Sequence, residues 1–374
     1  MPSIELFDET AFADGWHDVR APGGYEWWYF DAEDAATDTQ VVAIFMEGFI
    51  FHPGYLRAHA KYLRQPTKRL PPTAGDYPCV YLCIYRGGKI WRQFFTQYRR
   101  EQFKAARDRC DVAIGPNRLR VEADGSYALT LRGTPWVLTG RGPQTLVDQA
   151  LDADFRFAPT SRVEPRERLF LSREMTNAHH AWTIAAPRCD VSGTIRSGPT
   201  NAPESTAFAG HGYHDHNFGT APIGPGLARW TWGRAMFESG RTVTFHHAEP
   251  SNTLRGPEVH VIEATADGLT EHRVKKVAAD WSLTCRPAMF LRYPATLDFG
   301  DVLRLSSPRV VDPSPFYLRL QFEAESFGER ATAFCEIAYP HRLRWPIFGR
   351  MIEMSFDKRP LTTASAASST SSVS

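Results

Sequence analysis

Apolar and polar residues alternate in short segments along most of the chain, which is the pattern of β-strands that bury one face. Such segments include 41–49, 80–85, 91–95, 119–123, 127–132, 151–157, 189–195, 229–237, 241–247, 258–264, 281–285, 302–306, 317–323 and 332–338. Turn-forming residues at 86–89, 123–125 and 238–241 separate neighbouring segments at hairpin distances. Helical periodicity is nearly absent, and one short helix is expected within 98–107. The pattern predicts an all-β protein.

The number of predicted strands, about sixteen, suits two calyx-like barrels better than one. A length of 374 residues also exceeds what a single core usually organises. The stretch 197–205 is rich in turn formers and poor in apolar residues, which makes it the best linker candidate. We therefore expect an N-terminal barrel over 1–196 and a C-terminal barrel over 197–361. The polar tail at 362–374 is expected to be disordered.

The charge balance argues against general electrostatic partners. Lys and Arg total 43 against 42 for Asp and Glu, so the net charge of +1 offers no field that would attract nucleic acid or anionic lipid. No stretch approaches the roughly 20 apolar residues of a spanning helix, and the N-terminus shows no signal-peptide pattern. The sequence predicts a soluble, cytoplasmic protein without stable membrane insertion. Its six scattered cysteines form no Cys-x-x-Cys pair and are expected to be free thiols.

Aromatic residues make up 13% of the chain, a level that favours sheets and ligand cavities. A particularly dense run is the segment 26–30, Glu-Trp-Trp-Tyr-Phe, which follows a Gly-Gly turn. A run this aromatic in a soluble chain is typical of the lining of a large apolar cavity. Trp27, Trp28 and Tyr29 are therefore predicted to contact a ligand.

The segment 210–219 carries the strongest chemical signal. If it is extended, His211, Tyr213, Asp215 and Asn217 point to one face, and the two histidines between them point to the other. A carboxyl in an aromatic pocket loses hydration, so its pKa rises and it becomes a proton donor near neutral pH. We predict that Asp215 is this acid, that Tyr213 orients or reprotonates it, and that His211 and Asn217 face the substrate. The alternative is a structural Asp215 that pairs with an arginine or caps a turn.

Two further aromatic segments are candidates for the same cavity. In an extended chain His180 and Trp182 share a face, so the indole could stabilise a cation while the imidazole acts as a base or positions water. Trp230, Trp232 and Arg234 also share a face, which would make a cavity wall closed by a cation. The alternative is that these residues are core tryptophans beside a hydrogen-bonded histidine and a paired arginine.

The histidines also raise a metal hypothesis, which their spacing argues against. On a strand His211 opposes His214 and His216, so only two imidazoles converge locally, and we predict no metal site. The chain has no Walker loop, no dinucleotide-binding glycine motif and no serine nucleophile elbow. The sequence therefore predicts no cofactor.

Taken together, the segments 26–29, 179–185, 210–219 and 230–234 resemble the carotenoid 1,2-hydratase (hydroxyneurosporene synthase) family in order and spacing. The resemblance implies two lipocalin-like antiparallel β-barrel domains, with a ligand cavity between or within them. The segment 216–219 departs from the hydratase pattern, because hydratases tend to have smaller residues after the acid.

The resemblance also implies a chemistry, in which Asp215 protonates a terminal isoprenoid double bond and water captures the tertiary carbocation. The family's His-x-Trp pair matches His180 and Trp182, with His179 as the alternative histidine. We therefore expect a cofactor-independent enzyme that hydrates or cyclises a polyene or isoprenoid natural product. The superfamily also includes fungal decalin-forming Diels-Alderases, so a pericyclase is the first alternative. A non-catalytic barrel that carries a lipid or isoprenoid is the second.

Overall fold

The computed structural model describes residues 13–139, 142–161, 180–223, 227–251 and 256–355. Within these ranges two large sheets and one two-stranded ribbon make up nearly all regular structure. Strand pairing is antiparallel, as in the central pairings of the two sheets. The all-β prediction is confirmed. The proposed tail at 362–374 lies outside the described residues.

The first sheet has thirteen strands in the described residues and curls over its own core. They are β1 (Tyr25–Asp34), β2 (Thr39–Glu47), β3 (Cys79–Arg86), β4 (Lys89–Gln97), β5 (Phe103–Ala105), β6 (Asp111–Ile114), β7 (Asn117–Val121), β8 (Tyr127–Gly133), β9 (Trp136–Thr139), β10 (Gly142–Thr145), β11 (Gln149–Pro159), β12 (His180–Pro199) and β13 (Glu204–Gly219). Their spatial order is β10-β9-β4-β3-β2-β1-β13-β12-β11-β8-β7-β6-β5. Phe30, Phe94, Leu129 and Val191 meet in one buried cluster although they come from β1, β4, β8 and β12. One face of the sheet is therefore wrapped around a core of its own.

The second sheet is formed by the C-terminal part of the chain. Its strands and those of the ribbon are β14 (Leu227–Met236), β15 (Thr242–Pro250), β16 (Glu258–Thr265), β17 (Gly268–His272), β18 (Ala278–Asp280), β19 (Leu283–Cys285), β20 (Leu291–Tyr293), β21 (Thr296–Asp298), β22 (Arg304–Ser314), β23 (Tyr317–Ser326) and β24 (Glu329–Ala338). The sheet order is β17-β16-β15-β14-β24-β23-β22-β21-β18, and β19 pairs with β20. Phe245, Leu297 and Leu320 belong to the core on its outer face. Each sheet thus has one face committed to a core of its own.

The other faces of the two sheets meet. Tyr29 and Trp182 from the first sheet share a buried cluster with Trp232, Val311 and Phe334 from the second. This third cluster surrounds the cavity described below. The ligand site implied by the aromatic segments therefore lies between the two sheets, not within either curl.

The described residues contain two α-helices, α1 (Pro53–Arg64) and α2 (Pro346–Ser355), and short 3-10 turns at Ala74–Asp76, Arg100–Gln102 and Pro340–Arg344. The prediction of a helix within 98–107 is wrong. This region forms a 3-10 turn followed by β5, which pairs with β6. Sheet pairing here overrides the local helical preference. Neither described helix combines the length and the apolar character needed to cross a membrane.

The stretch 197–205, which its composition suggested as a linker, is the turn of the β12–β13 hairpin. β13 pairs with both β1 and β12, so residues 204–219 belong to the first sheet. The chain passes to the second sheet between Gly219 and Leu227. A division at 196/197 would separate β13 from its partners β1 and β12 in the first sheet. Turn-forming residues predict a change of chain direction, but they do not predict which sheet the next strand joins.

Strand β1 shows how the sequence builds two interiors at once. Trp28 and Phe30 pack into the core enclosed by the first sheet, whereas Trp27 and Tyr29 pack into the cluster between the sheets. The alternation follows from the period of two in an extended chain. Gly23 in the preceding turn has a φ of +80°, and a Cβ there would lie 2.6 Å from the His59 ring, so only glycine fits.

Candidate active site

A cavity of about 390 Å³ lies between the two sheets, within the size range of natural ligand pockets. Strands β1 to β4, β9, β10, β12 and β13 contribute to one side, β14, β15 and β22 to β24 to the other, and α2 adds Met351 and Ile352. The aromatic lining residues are Trp27, Tyr29, Phe49, Phe51, Tyr81, Phe95, Trp136, Trp182, Trp230, Trp232, Phe316 and Tyr317. Such a lining suits an apolar, electron-rich ligand.

Asp215 lies on the cavity wall as the sequence predicts, and three neighbouring side chains donate to its carboxyl. The Trp182 indole and the Tyr213 hydroxyl donate to Oδ2 at 2.9 and 3.0 Å, and the Asn217 amide donates to Oδ1 at 2.9 Å. Tyr213, Asp215 and Asn217 share this face because β13 pairs with β1 in unbroken register. The carboxyl is fixed in one orientation with 3% of its residue surface exposed.

Burial dominates the electrostatics of Asp215. Loss of hydration disfavours the charged carboxylate, and the hydrogen bonds from Trp182 and Tyr213 offset only part of this, so the pKa of Asp215 rises to about 7. Burial also raises the pKa of Tyr213, which keeps its hydroxyl protonated as a donor. A substantial fraction of Asp215 therefore carries a proton at neutral pH.

The raised pKa of Asp215 gives a stability prediction. The folded protein binds the proton of Asp215 more tightly than the unfolded chain does. The stabilisation that this proton gives to the folded state is therefore complete below about pH 4 and is lost as the pH rises to about 7. Asparagine does not ionise, so the Asp215→Asn variant does not lose this stability as the pH rises. We expect the variant to match wild type near pH 4 and to exceed it at pH 8 by up to about 4 kcal/mol. Denaturant titrations at the two pH values measure the gap, and a gap independent of pH would contradict the raised pKa.

His180 lies at the edge of the site and does not contact Asp215 in the described structure. Its Nδ1 is 2.9 Å from the Tyr25 hydroxyl, and its ring centroid is 5.8 Å from that of Trp27 and 6.2 Å from that of His246. Burial lowers the pKa of His180 to about 4 and lowers the pKa of His246 well below its ordinary value, so both imidazoles are neutral at pH 7. The alternative histidine, at position 179, lies outside the described residues.

The predicted aromatic wall is largely assembled. Trp27, Tyr29, Trp182, Trp230 and Trp232 all line the cavity. The buried indole N–H groups of Trp230 and Trp232 have no hydrogen-bond acceptor within the described part of the chain. The tryptophans therefore present ring faces and two free donors to a ligand.

Three residues that were predicted to contact the ligand, Trp28, His211 and Arg234, do not line the cavity. Trp28 points to the opposite face of β1, where its ring stacks on His216 at 4.5 Å. His211, near the middle of β13, is exposed and lies 3.2 Å from Asp190, because the strand extends beyond the cavity. Arg234 is buried against Asp31, its Nε donating at 2.6 Å, and lies outside the cavity lining. The predicted cavity-closing cation is thus part of a structural ion pair.

A polar cluster on the second sheet, which the sequence analysis missed, lines the cavity instead. Arg319 is 2% exposed, pairs with Oε1 of Glu336, and donates from Nε to the Tyr317 hydroxyl at 3.0 Å. The Tyr29 hydroxyl donates to the same Glu336 oxygen at 3.0 Å, and so connects the two sheets. Arg319 also donates to the Tyr85 hydroxyl at 3.3 Å. The cavity therefore has an acidic group on each side.

A signal for this cluster exists in the alternation of β23. Leu318 and Leu320 pack into the outer core of the second sheet, so Arg319 must point to the other face. Read alone, a charged residue at such a position predicts a solvent-facing side. Only knowledge that another sheet covers this face identifies Arg319 as a cavity residue.

Two groups of buried side chains have the composition of metal ligands, but they lie away from the cavity. They are Asp14 with Cys110 and His214, and His17 with Glu26 and His216. Burial alone would raise the pKa of Glu26, but hydrogen bonds and charge from His17 and His216 lower it. Both groups include a β13 histidine from the face opposite Asp215. A metal held there would not touch a ligand in the cavity.

The six cysteines are free and buried, as the sequence predicts. Burial raises the pKa of Cys79 and Cys335 well above the ordinary thiol value, so neither is a reactive thiolate. Nucleophilic chemistry at a cysteine therefore has no support in this structure.

Two curled antiparallel sheets around an aromatic cavity define a lipocalin-like protein with a buried acid at its ligand site. Residues 76–365, well over half of the chain, match the family model described as carotenoid hydratase CrtC. The chain belongs to this family of carotenoid hydratases, and it is an enzyme. The predicted membership of the carotenoid 1,2-hydratase family is thereby confirmed.

Curated relatives agree with this family. The chain is 28% identical over 324 residues to the hydroxyneurosporene dehydrogenase of Chlorobaculum tepidum, which covers 81% of this chain and 78% of the relative. It is also 28% identical over 352 residues to the acyclic carotenoid 1,2-hydratase of Thiocapsa roseopersicina, covering 90% and 73%. The crystal structure of an AttH-like protein of Nitrosomonas europaea superimposes with a TM-score of 0.60 at 16% identity, over 91% of this chain and 98% of that one. That structural likeness shows the fold.

Proposed function

We propose that the protein is a cofactor-independent enzyme that protonates a carbon–carbon double bond of an acyclic polyene or isoprenoid and then hydrates or cyclises it. The observation that carries this proposal is Asp215, a buried carboxyl whose pKa is raised to about 7 on the wall of an aromatic cavity. Proton transfer to carbon and capture by water require neither an electron carrier nor a group carrier. The chain's own side chains are sufficient for this chemistry.

In the proposed reaction Asp215 is the general acid. Its proton passes to the less substituted carbon of a terminal double bond, the π electron pair forms the new C–H bond, and a tertiary cation remains on the neighbouring carbon. Trp182 and Tyr213 stabilise the carboxylate left behind, because hydrogen bonds to a charged oxygen are stronger than those to a neutral one. A water oxygen then forms the C–O bond, and a proton of that water leaves to a base.

The aromatic wall gives the cation its protection. Tyr29 and Trp232 have ring centroids 5.1 Å apart, and Trp27 and Trp230 lie 6.1 Å apart. An aromatic face attracts a desolvated cation by about 2 kcal/mol. We assign His180 a positioning role, because its neutral ring packs beside Trp27 and so holds that indole against the cavity.

Similarity to a relative named acyclic carotenoid 1,2-hydratase supports an acyclic carotenoid as the first substrate to test. The cavity volume of about 390 Å³ is near the lower end of the range for ligand pockets. We therefore propose that the cavity takes one end of a long polyene, with the reacting double bond near its terminus and the remainder of the chain outside.

The experiment that tests this function is product analysis by mass spectrometry after incubation with acyclic carotenoids and shorter linear polyenes. Hydration predicts a product heavier than the substrate by one water. An isomer of unchanged mass that forms equally with Asp215→Asn would instead indicate a pericyclase that folds the chain in the cavity. Polyene that binds and is recovered unchanged would indicate a carrier.

The pH dependence of turnover is a further expectation. Only protonated Asp215 donates, so kcat/KM is expected to be constant at low pH and to fall tenfold per pH unit above about 7. The decline follows from the raised pKa, since an ordinary aspartate would already be ionised at pH 5. Initial rates between pH 5 and 9 measure the profile. A rate that rises through pH 7 would indicate a base as the essential group.

A further inference from the structure

Glu336 faces Asp215 across the gap between the sheets. Asp215 lies beside Tyr29 in the β1–β13 pairing, and Glu336 lies beside Trp232 in the β14–β24 pairing. The Tyr29 hydroxyl reaches Glu336 Oε1 at 3.0 Å, and the Tyr29 and Trp232 rings meet edge to face. Both carboxyls therefore line the same cavity, one from each sheet, and the Tyr29 side chain reaches from the strand beside Asp215 to Glu336.

The two carboxyls have partners of different charge. Glu336 pairs with the buried guanidinium of Arg319, which is always charged and so stabilises a negative partner. Asp215 has no cationic side chain among its hydrogen-bond donors, which are an indole, a phenol and an amide. After burial itself, the negative charge of Glu336 is a further influence that raises the pKa of Asp215. A carboxyl without a cationic partner and a carboxyl paired with a guanidinium therefore line one cavity, which is the arrangement of a general acid and a general base.

We propose that Glu336 is the general base of the proposed hydration, receiving the proton of the attacking water, while Arg319 and Tyr29 position it. This assignment rests on the proposed function. Asp215 gives its proton to carbon, the water oxygen forms the C–O bond with the cation, and the water proton passes to Glu336. Release of that proton from Glu336 to solvent and uptake of a proton from solvent by Asp215 restore both groups, so the net reaction adds one water. Before capture, the carboxylate also stabilises the cation that forms beside it.

The Glu336→Gln variant separates protonation from capture. Glutamine keeps an acceptor for Tyr29 but cannot take a proton, so the hydrated product is expected to form at least 100-fold more slowly. Asp215 still protonates the double bond, and the cation reverts by losing a proton. In heavy water the recovered substrate is therefore expected to gain carbon-bound deuterium at a rate close to the wild-type protonation rate. Asp215→Asn is expected to lose both hydration and exchange.

Glu323→Gln, an exposed position on β23, is the matched control and should hydrate like wild type. Thermal melting and polyene binding establish that each variant is folded. If Glu336→Gln does not fold, Glu336→Asp replaces it, and slower hydration with a raised ratio of exchange to hydration is expected. Two results would overturn the assignment of Glu336 as the general base without affecting the proposed function. One is hydration by Glu336→Gln at the wild-type rate, and the other is an equal loss of deuterium exchange and hydration in that variant. A wild-type protein that neither hydrates nor exchanges would overturn the proposed function, and the assignment with it.

Discussion

Asp215→Asn is expected to lose catalysis while keeping its fold and its cavity. Asparagine has nearly the shape of aspartic acid but no acidic proton, and a positioned general acid contributes about 10²–10⁴-fold to rate. We expect kcat to fall by a factor in that range with KM little changed, because the lost interaction exists only in the transition state. Trp182 and Tyr213 keep an acceptor in the amide oxygen at position 215, and Asn217 adapts by rotating its own amide.

Steady-state kinetics with an acyclic carotenoid measure this effect, with Asp190→Asn as the matched control. Asp190 is an exposed carboxyl on β12, and its replacement should leave both constants unchanged. Binding that persists in Asp215→Asn while turnover falls would exclude passive carriage. Turnover at the wild-type rate would instead remove Asp215 from the chemistry and favour ring closure by preorganisation of the bound chain.

Arg234→Met is expected to destabilise the protein by about 3–5 kcal/mol without weakening substrate binding. Arg234 and Asp31 are each 1% exposed, and the guanidinium also lies 3.7 Å from Glu33. Removing the guanidinium leaves the Asp31 carboxylate buried and uncompensated. We expect the substitution to lower the free energy of unfolding but not the affinity for substrate, because neither Arg234 nor Asp31 lines the cavity.

Denaturant titration of Arg234→Met, Asp31→Asn and the double variant measures this coupling. The double variant should be more stable than the sum of the single losses predicts, because it buries no unpaired charge. A polyene binding titration of the same variants gives the second readout. A folded Arg234→Met protein with wild-type stability and a raised KM would show that Arg234 contacts substrate, as the sequence pattern suggested.

Much of the first sheet's side of the site could be predicted because strand alternation is a local property. The placement of Tyr213, Asp215 and Asn217 on one face follows from a period of two and holds in the structure. The same rule separates Trp28 from Trp27 and Tyr29, although a run of aromatic residues read as one motif hides that division. The face of the strand on which each side chain lies can therefore be predicted residue by residue, but not for an aromatic run taken as a whole.

The second sheet's side of the site could not be predicted, because it depends on which surfaces meet. Arg319 and Glu336 occupy positions that are polar and solvent-facing in an isolated sheet, and they become cavity residues only when the first sheet covers them. His211 shows the converse, since it lies on the predicted face but beyond the end of the cavity. Local periodicity gives the direction of a side chain but not the depth at which the opposing sheet begins or ends.

The boundary between the two sheets was hidden for a similar reason. The turn formers at 197–205 suggest a linker between two barrels, but the strand that follows them, β13, returns to pair with β1 near the start of the chain. Such long-range pairing places the segment that carries Asp215 at the centre of the first sheet, directly opposite β14. The cavity is therefore lined by residues of both sheets.

The most direct test of the account is the incubation of wild type and Asp215→Asn with an acyclic carotenoid in heavy water, followed by mass spectrometry of product and recovered substrate. The account predicts one carbon-bound deuterium and one added water in the wild-type product, and neither with Asp215→Asn. A wild-type product without carbon-bound deuterium, or the same labelled product from both proteins, would contradict protonation of the double bond by Asp215.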